Sequence, residues 1–209
     1  MYLYLKIEFL NIKLNIDIIE IMLIFVDGAC SDNGKKNAKA SYAALINGNI
    51  IKGFVMPFEY VYNDKKLDHS EITISPSNNR AELLAIIVSL IEVLESEYDD
   101  ITIYSDSLIS VNTVNIWYEN RNKKGTINKF KNLDLIKIMM ELYYEINKSK
   151  QVKIKHVRGH QKEENAKSEE HKNIIIGNNI ADIYAELLLK DDITYDIIRH
   201  EVDKKYTKK

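Results

Sequence analysis

Cysteine is nearly absent from this chain. One thiol, Cys30, in 209 residues excludes an internal disulfide framework and a cysteine-rich zinc site. Proline (2) and glycine (7) are scarce, and no Pro/Gly/Ser-rich linker divides the sequence. Neither sign of charge dominates: 29 Lys and Arg stand against 31 Asp and Glu, a formal net charge of −2. That excludes a protein that is basic all over, while local basic patches remain open. Long apolar runs are also missing. The longest, Leu83–Leu94, contains Ser89 and Glu92 and falls well short of the roughly 20 residues that span a membrane. The apolar N-terminus is broken by Lys6, Glu8, Lys13, Asp17 and Glu20, which argues against a signal peptide and leads us to expect an intracellular protein. What is present is a globular composition, 45% hydrophobic and 29% charged, at a length that suits one domain with additions.

Hydrophobic patterning sets out the elements. Residues 1–20 alternate in two phases and are read as an extension, either an added strand or a stretch ahead of an alternative start at Met22. Ile21–Val26 is continuously apolar, as a central strand covered on both faces should be. Residues 40–46 and 50–56 flank Asn47-Gly48-Asn49 and predict a hairpin. Residues 57–76 read as an insertion or loop. Leu83, Leu84, Ile87, Leu90, Ile91 and Leu94 share one face of a helix expected over 79–95. A strand is expected at 101–105, a helix at 106–117, a basic loop to 131, a helix at 132–147, a strand at 152–157, a charged loop at 161–177 and a helix at 178–190. The order β-β-β-α-β-α-α-β-α predicts an α/β fold, one mixed sheet flanked by helices.

Four carboxylates fall at notable points: Asp27 at the end of the buried strand, Glu82 early in the long helix, Asp106 after the next strand and Asp182 on the last helix. Active sites of such sheets gather beyond the C-terminal ends of strands. Two carboxylates about 4 Å apart repel by roughly 4 kcal/mol at an effective dielectric near 20, so a gathering of four calls for protons or cations. Oxygen-only ligands favour hard ions, Mg²⁺ or Mn²⁺, and two such ions can clamp the attacking and leaving oxygens of a phosphoryl displacement. Taken singly, each acid also has a plain structural reading. Asn79-Arg-Ala-Glu82 fits a capping box, Asp106 suits a helix cap, Asp182 a solvated helix face and Asp27-Gly28 a turn. His156, His160 and His171 lack the soft partners of a zinc site.

Five motifs in fixed order say more: Val26-Asp-Gly-Ala-Cys30, Ser77-Asn-Asn-Arg-Ala-Glu-Leu83, Tyr104-Ser-Asp-Ser107, Val157-Arg-Gly-His160 and Asn178-Asn-Ile-Ala-Asp182. Together they resemble the type 1 ribonuclease H family over roughly residues 22–190. The resemblance implies a ribonuclease H-like fold with a five-stranded mixed sheet and helices on both faces. It implies endonucleolytic hydrolysis of the RNA strand of RNA/DNA hybrids, leaving 5′-phosphate and 3′-hydroxyl ends, by two Mg²⁺ ions, with Mn²⁺ as the alternative. Asp27, Glu82, Asp106 and Asp182 are then the metal-binding carboxylates, with Asp27 bridging the ions, and His160 assists proton transfer or product departure. Cys30, Asn33, Asn78 and Asn79 match minor-groove contacts, which detect RNA through its 2′-hydroxyls, and Ser77 matches a contact to a DNA phosphate. The stretch Trp117–Lys131 carries Arg121, Lys123, Lys124, Lys129 and Lys131 against one acid, Glu119. It resembles the family's basic protrusion, so Arg121, Lys123 and Lys124 are expected to hold the hybrid.

The resulting expectation is a catalytic domain at 22–190 with insertions near 57–76 and 161–177, an extension at 1–21 and a charged tail at 191–209, acting as a monomer without a membrane. The sequence departs from the pattern in its longer loop after His160 and its Gly-poor first turn. Competing expectations are a nucleic-acid-binding module without catalysis, or a nuclease for another duplex.

Overall fold

The structure is a computed structural model that describes residues 5–8, 21–48, 50–55, 60–62, 65–67, 76–190 and 200. Its strands are β1 (Leu5–Glu8), β2 (Ile21–Ser31), β3 (Lys39–Ile46), β4 (Ile50–Val55), β5 (Tyr60–Tyr62), β6 (Lys65–Leu67), β7 (Asp100–Ser105) and β8 (Gln151–His156). Its α-helices are α1 (Asn78–Glu95), α2 (Leu108–Asn112), α3 (Tyr118–Lys123), α4 (Leu133–Ile146) and α5 (Glu169–Leu187). The main sheet has the order β1-β4-β3-β2-β7-β8. β2 pairs antiparallel with β3 and parallel with β7, and β7 pairs parallel with β8. The expected five strands are therefore present, and Leu5–Glu8 adds a sixth along β4.

The apolar run of β2 fills the centre because both its faces are covered. Ile24 and Val26 join the core made by α1 and α4. Phe25, between them, joins the opposite core made by α5 through Ile180, Ala181, Tyr184 and Ala185. The sheet is thus sandwiched between helices, and its polar end carries the acids. No helix among the described residues is long and apolar enough to cross a membrane.

Several boundaries differ from expectation, each for a local reason. β2 continues past Asp27 to Ser31, because residues 27–31 remain paired with 39–43 of β3. The cap of α1 is Ser77, whose hydroxyl accepts from the Arg80 amide at 3.4 Å, and not Asn79; Glu82 therefore serves no capping box. Ser107, and not Asp106, caps α2. The expected helix at 106–117 is interrupted by a π-turn, Thr113–Trp117, which accommodates an extra residue. Asn115 secures that turn by donating to the Ile154 carbonyl at 2.9 Å. The chain then stays helical over Tyr118–Lys123, where a loop was expected. α5 begins at Glu169, nine residues before the expected start at 178. Ser168 caps it, and Glu169 and Glu170 sit in its first turn, where carboxylates suit the helix dipole. Within the expected insertion, β5 and β6 pair with each other. The rest of 57–75 lies outside the described residues, as do residues 9–20 and all of the tail except His200.

Candidate active site

The parallel register of β2 and β7 aligns Val26 with Ser105. Asp27 and Asp106 are the next residues on these two neighbouring chains, so they emerge side by side. α1 brings Glu82 to them because Gly28 has no side chain. A Cβ on Gly28 would collide with the Ala81–Glu82 backbone, so only glycine permits this approach. The outcome is a triad: carboxylate oxygens of Asp27, Glu82 and Asp106 all lie within 4.8 Å of one another. Asp182 approaches from α5 on the other side and lines the same cavity, of about 580 Å³, with His160, Cys30 and Asn78. His160 Nδ1 lies 3.3 Å from Asp182 Oδ2.

Crowding and burial dominate the electrostatics. Burial, then the charges of Glu82, Asp106 and Asp182, push Asp27 up to about 10. Glu82 is raised well above the usual carboxylate range by burial, then by Asp106 and Asp182. Asp106 is raised by burial, then by Asp182. Among the described residues Glu82 Oε2 is buried without a hydrogen-bond partner, a costly state for a carboxylate oxygen. Hard oxygen donors in mutual reach, one of them orphaned, fit a divalent cation, whose charge would offset their repulsion. Asp27, Glu82 and Asp106 can hold such an ion directly, and Asp182 stands at the margin of the group.

The other expected contacts are placed less uniformly. Cys30 is half-buried and lines the cavity. Asn33 reaches Asn78, its Oδ1 accepting from the Asn78 backbone amide at 3.4 Å. The Asn78 side chain in turn donates to Glu82 Oε1 at 3.5 Å. Asn79 is exposed and does not line the cavity, and Ser77 is engaged in capping α1. Arg121 lies over the Phe130 ring at 4.0 Å, so it secures the protrusion as well as charging it. Lys123 and Lys124 are exposed at the end of α3. None of these three cations lines the acidic cavity.

Sequence reasoning missed some neighbours. Glu186 lines the cavity from α5, and Lys190 from the turn just after it; the spacing Asp182, Glu186 is the helical i,i+4 signal that could have found the first of them. Arg80, 4% exposed, makes a bidentate pair with Asp134, at 3.0 Å and 2.6 Å. That pair ties the start of α1, and so Glu82, to the start of α4.

Comparison with known proteins supports the same frame. The family model described as RNase H matches residues 20–188. A ribonuclease H of Schizosaccharomyces pombe is 32% identical over 142 residues, covering 66% of this chain and 46% of that protein. One from Clostridium botulinum is 28% identical over 140 residues, covering 66% of this chain and 83% of that protein. The chain thus spans about half the length of the fission-yeast relative. The solution structure of the RNase H domain of prototype foamy virus superposes with a TM-score of 0.54 at 16% identity, over 79% of this chain and 92% of that one. A crystal structure of a type 1 RNase H with the type 2 active-site motif gives 0.51 at 16% identity, over 79% and 70%. At such identities these two likenesses establish the fold. The matched span contains every acid of the cavity, and the chain belongs to the ribonuclease H family.

Proposed function

We propose that this chain is a metal-dependent endonuclease that hydrolyses the RNA strand of RNA/DNA hybrids, leaving 5′-phosphate and 3′-hydroxyl ends. The observation that carries this reading is the triad Asp27, Glu82 and Asp106, within 4.8 Å of one another, on a chain whose family match spans residues 20–188. Asp27, Glu82, Asp106 and Asp182 hold two Mg²⁺ ions in this reading, with Mn²⁺ able to replace them. Bound there, such ions supply Lewis acidity, a more acidic water and a clamp on the reacting phosphate. Hydrolysis adds water across the P–O3′ bond: the water oxygen goes to phosphorus, and a proton ends on the departing O3′.

The chain's own residues prepare this step. Burial and mutual repulsion disfavour the ionised forms of Asp27 and Glu82, and positive charge favours them, so cation binding and site readiness are coupled. His160 is held at Asp182 through Nδ1, and its other ring nitrogen can exchange a proton with the departing group or with water. In this reading Cys30, Asn33, Asn78 and Asn79 meet the minor groove and its 2′-hydroxyls. Ser77 meets a DNA phosphate. Lys123 and Lys124, helped by Arg121, hold the hybrid backbone away from the cavity.

Residues 22–190 form the catalytic domain in this reading, with 1–21 and 191–209 as additions. The protein acts as a monomer inside the cell, where RNA and DNA strands meet. The test is competition among an RNA/DNA hybrid, single-stranded RNA, duplex RNA and duplex DNA, with Mg²⁺ or with chelator. Metal-dependent cutting of RNA in the hybrid alone is expected. Preference for duplex RNA or for DNA would replace this reading with another nuclease, and binding without cutting would replace it with a binding module.

A further inference from the structure

The loop that carries His160 is fastened to the acid cluster at several points. Gly159 lies so close to Asp106 that a Cβ there would collide with Oδ2. His160 has a left-handed backbone, φ +50°, which residues with a Cβ adopt rarely and keep only where their neighbours hold them. Its side chain is 77% exposed, so packing does not hold it. Gln161 is engaged twice. Its side-chain amide donates to the Arg158 carbonyl at 3.0 Å, closing the turn. Its own carbonyl accepts from Asn179 Nδ2 at 2.9 Å. Asn179 is 7% exposed and sits on α5 one helical turn before Asp182. The same helix therefore holds both the carboxylate that meets His160 and the amide that holds the next residue of the loop.

We propose that Asn179 is a positioning residue: by fixing the Gln161 carbonyl it holds the His160 imidazole at Asp182. This rests on the hybrid-nuclease reading above, because it assigns His160 a part in turnover. Asn179 acts through His160 and touches no reacting atom. A carboxamide suits the place. It supplies a neutral N–H donor beside carboxylates, whereas an ionised Asp or Glu has no donor and adds repulsion, and Lys or Arg would pair with the acids instead.

The test uses the full chain with Asn179→Ala, and Asn179→Leu as a second variant of similar volume without a donor, read in its place if the first does not fold. One readout needs no activity: hydrogen exchange of backbone amides 158–162 without metal. Faster exchange confined to that segment is expected, and unchanged exchange overturns the clamp. The other readout is hybrid cleavage. We expect kcat to fall about tenfold, the scale on which outer partners of site groups act, with KM within about twofold. In a His160→Ala background, Asn179→Ala should cost nothing more, because residues acting as a unit are non-additive. Additive losses, or a loss in KM alone, overturn the positioning role. A wild-type chain that cuts no hybrid refutes the nuclease reading instead, and the exchange result still decides whether the clamp exists.

Discussion

Asp27 and Asp106 occupy matching positions on two parallel chains, each one residue beyond the Val26–Ser105 pair of β2 and β7. Backbone hydrogen bonding of the central sheet thus forces two carboxylates together, and Glu82 joins them from α1. The fold itself imposes this repulsion, and a bound cation would relieve it.

The metal-free protein should therefore lose stability as pH rises. Asp27 titrates at about 10 in the folded chain against 3.8 for an ordinary aspartate, and Glu82 and Asp106 are also raised. Each binds its proton more tightly folded than unfolded, so stability falls as pH climbs through this window. The melting temperature in chelator should decline from about pH 4 to about pH 10. Added Mg²⁺ should raise it more at the alkaline end. A metal-independent, flat profile would contradict the cluster.

Gly159→Ala should damage turnover more than folding. The added methyl would strike Asp106 Oδ2, displacing either the carboxylate or the His160 loop. A loop can shift at modest cost to the core, whereas small misplacement of a reacting group costs about 10²-fold. Hybrid cleavage should fall by about that factor, with the thermal transition lowered by only a few degrees. Unchanged cleavage would show that the loop need not touch Asp106.

Much of this arrangement was legible in the sequence because its causes are local. The unbroken apolar run Ile21–Val26 suits a strand covered on both faces, and both cores meet it at Ile24, Phe25 and Val26. The acids were legible through the five ordered motifs, because by place alone each also reads as a cap, a turn or a solvated helix face. What escaped was set by partners distant in sequence. That β2 extends to Ser31 depends on pairing with β3. The start of α5 at Glu169 is the exception, a local signal: Ser168 and two dipole-facing glutamates sit inside a stretch that reads as charged loop. The π-turn at Thr113–Trp117 follows from packing on β8, through Asn115 and the Ile154 carbonyl, and no periodicity announces it. Arg121 reads as a free cation in sequence, yet its guanidinium is spread over Phe130.

Arg80→Ala should destabilise the fold and, through α1, loosen Glu82. Arg80 is 4% exposed and its partner Asp134 19%, and removing one member of a buried pair costs about 3–5 kcal/mol. Denaturant unfolding should show a loss of about 3 kcal/mol. A loss within about 0.5 kcal/mol, typical of surface substitutions, would mean that the pair contributes little.

Replacing Lys123 and Lys124 together with Ala should weaken hybrid binding without altering the cleavage step. Both are exposed at the end of α3, outside the acidic cavity. Each phosphate that a lysine no longer neutralises reduces the slope of log affinity against log salt by nearly one. The slope should therefore become shallower by roughly 1 to 2. An unchanged slope would leave this surface merely solvated.

The most direct measurement is cleavage of an end-labelled RNA/DNA hybrid by wild-type protein and by Asp106→Asn, each in Mg²⁺, Mn²⁺ and chelator, with circular dichroism to verify folding. Asn keeps the shape of Asp106 and removes its charge from the triad. The wild type should cut the RNA strand in a metal-dependent way, and the variant should fold but cut at no detectable rate. A variant as active as the wild type in millimolar Mg²⁺ would contradict this, because one carboxylate of the triad would then not be needed.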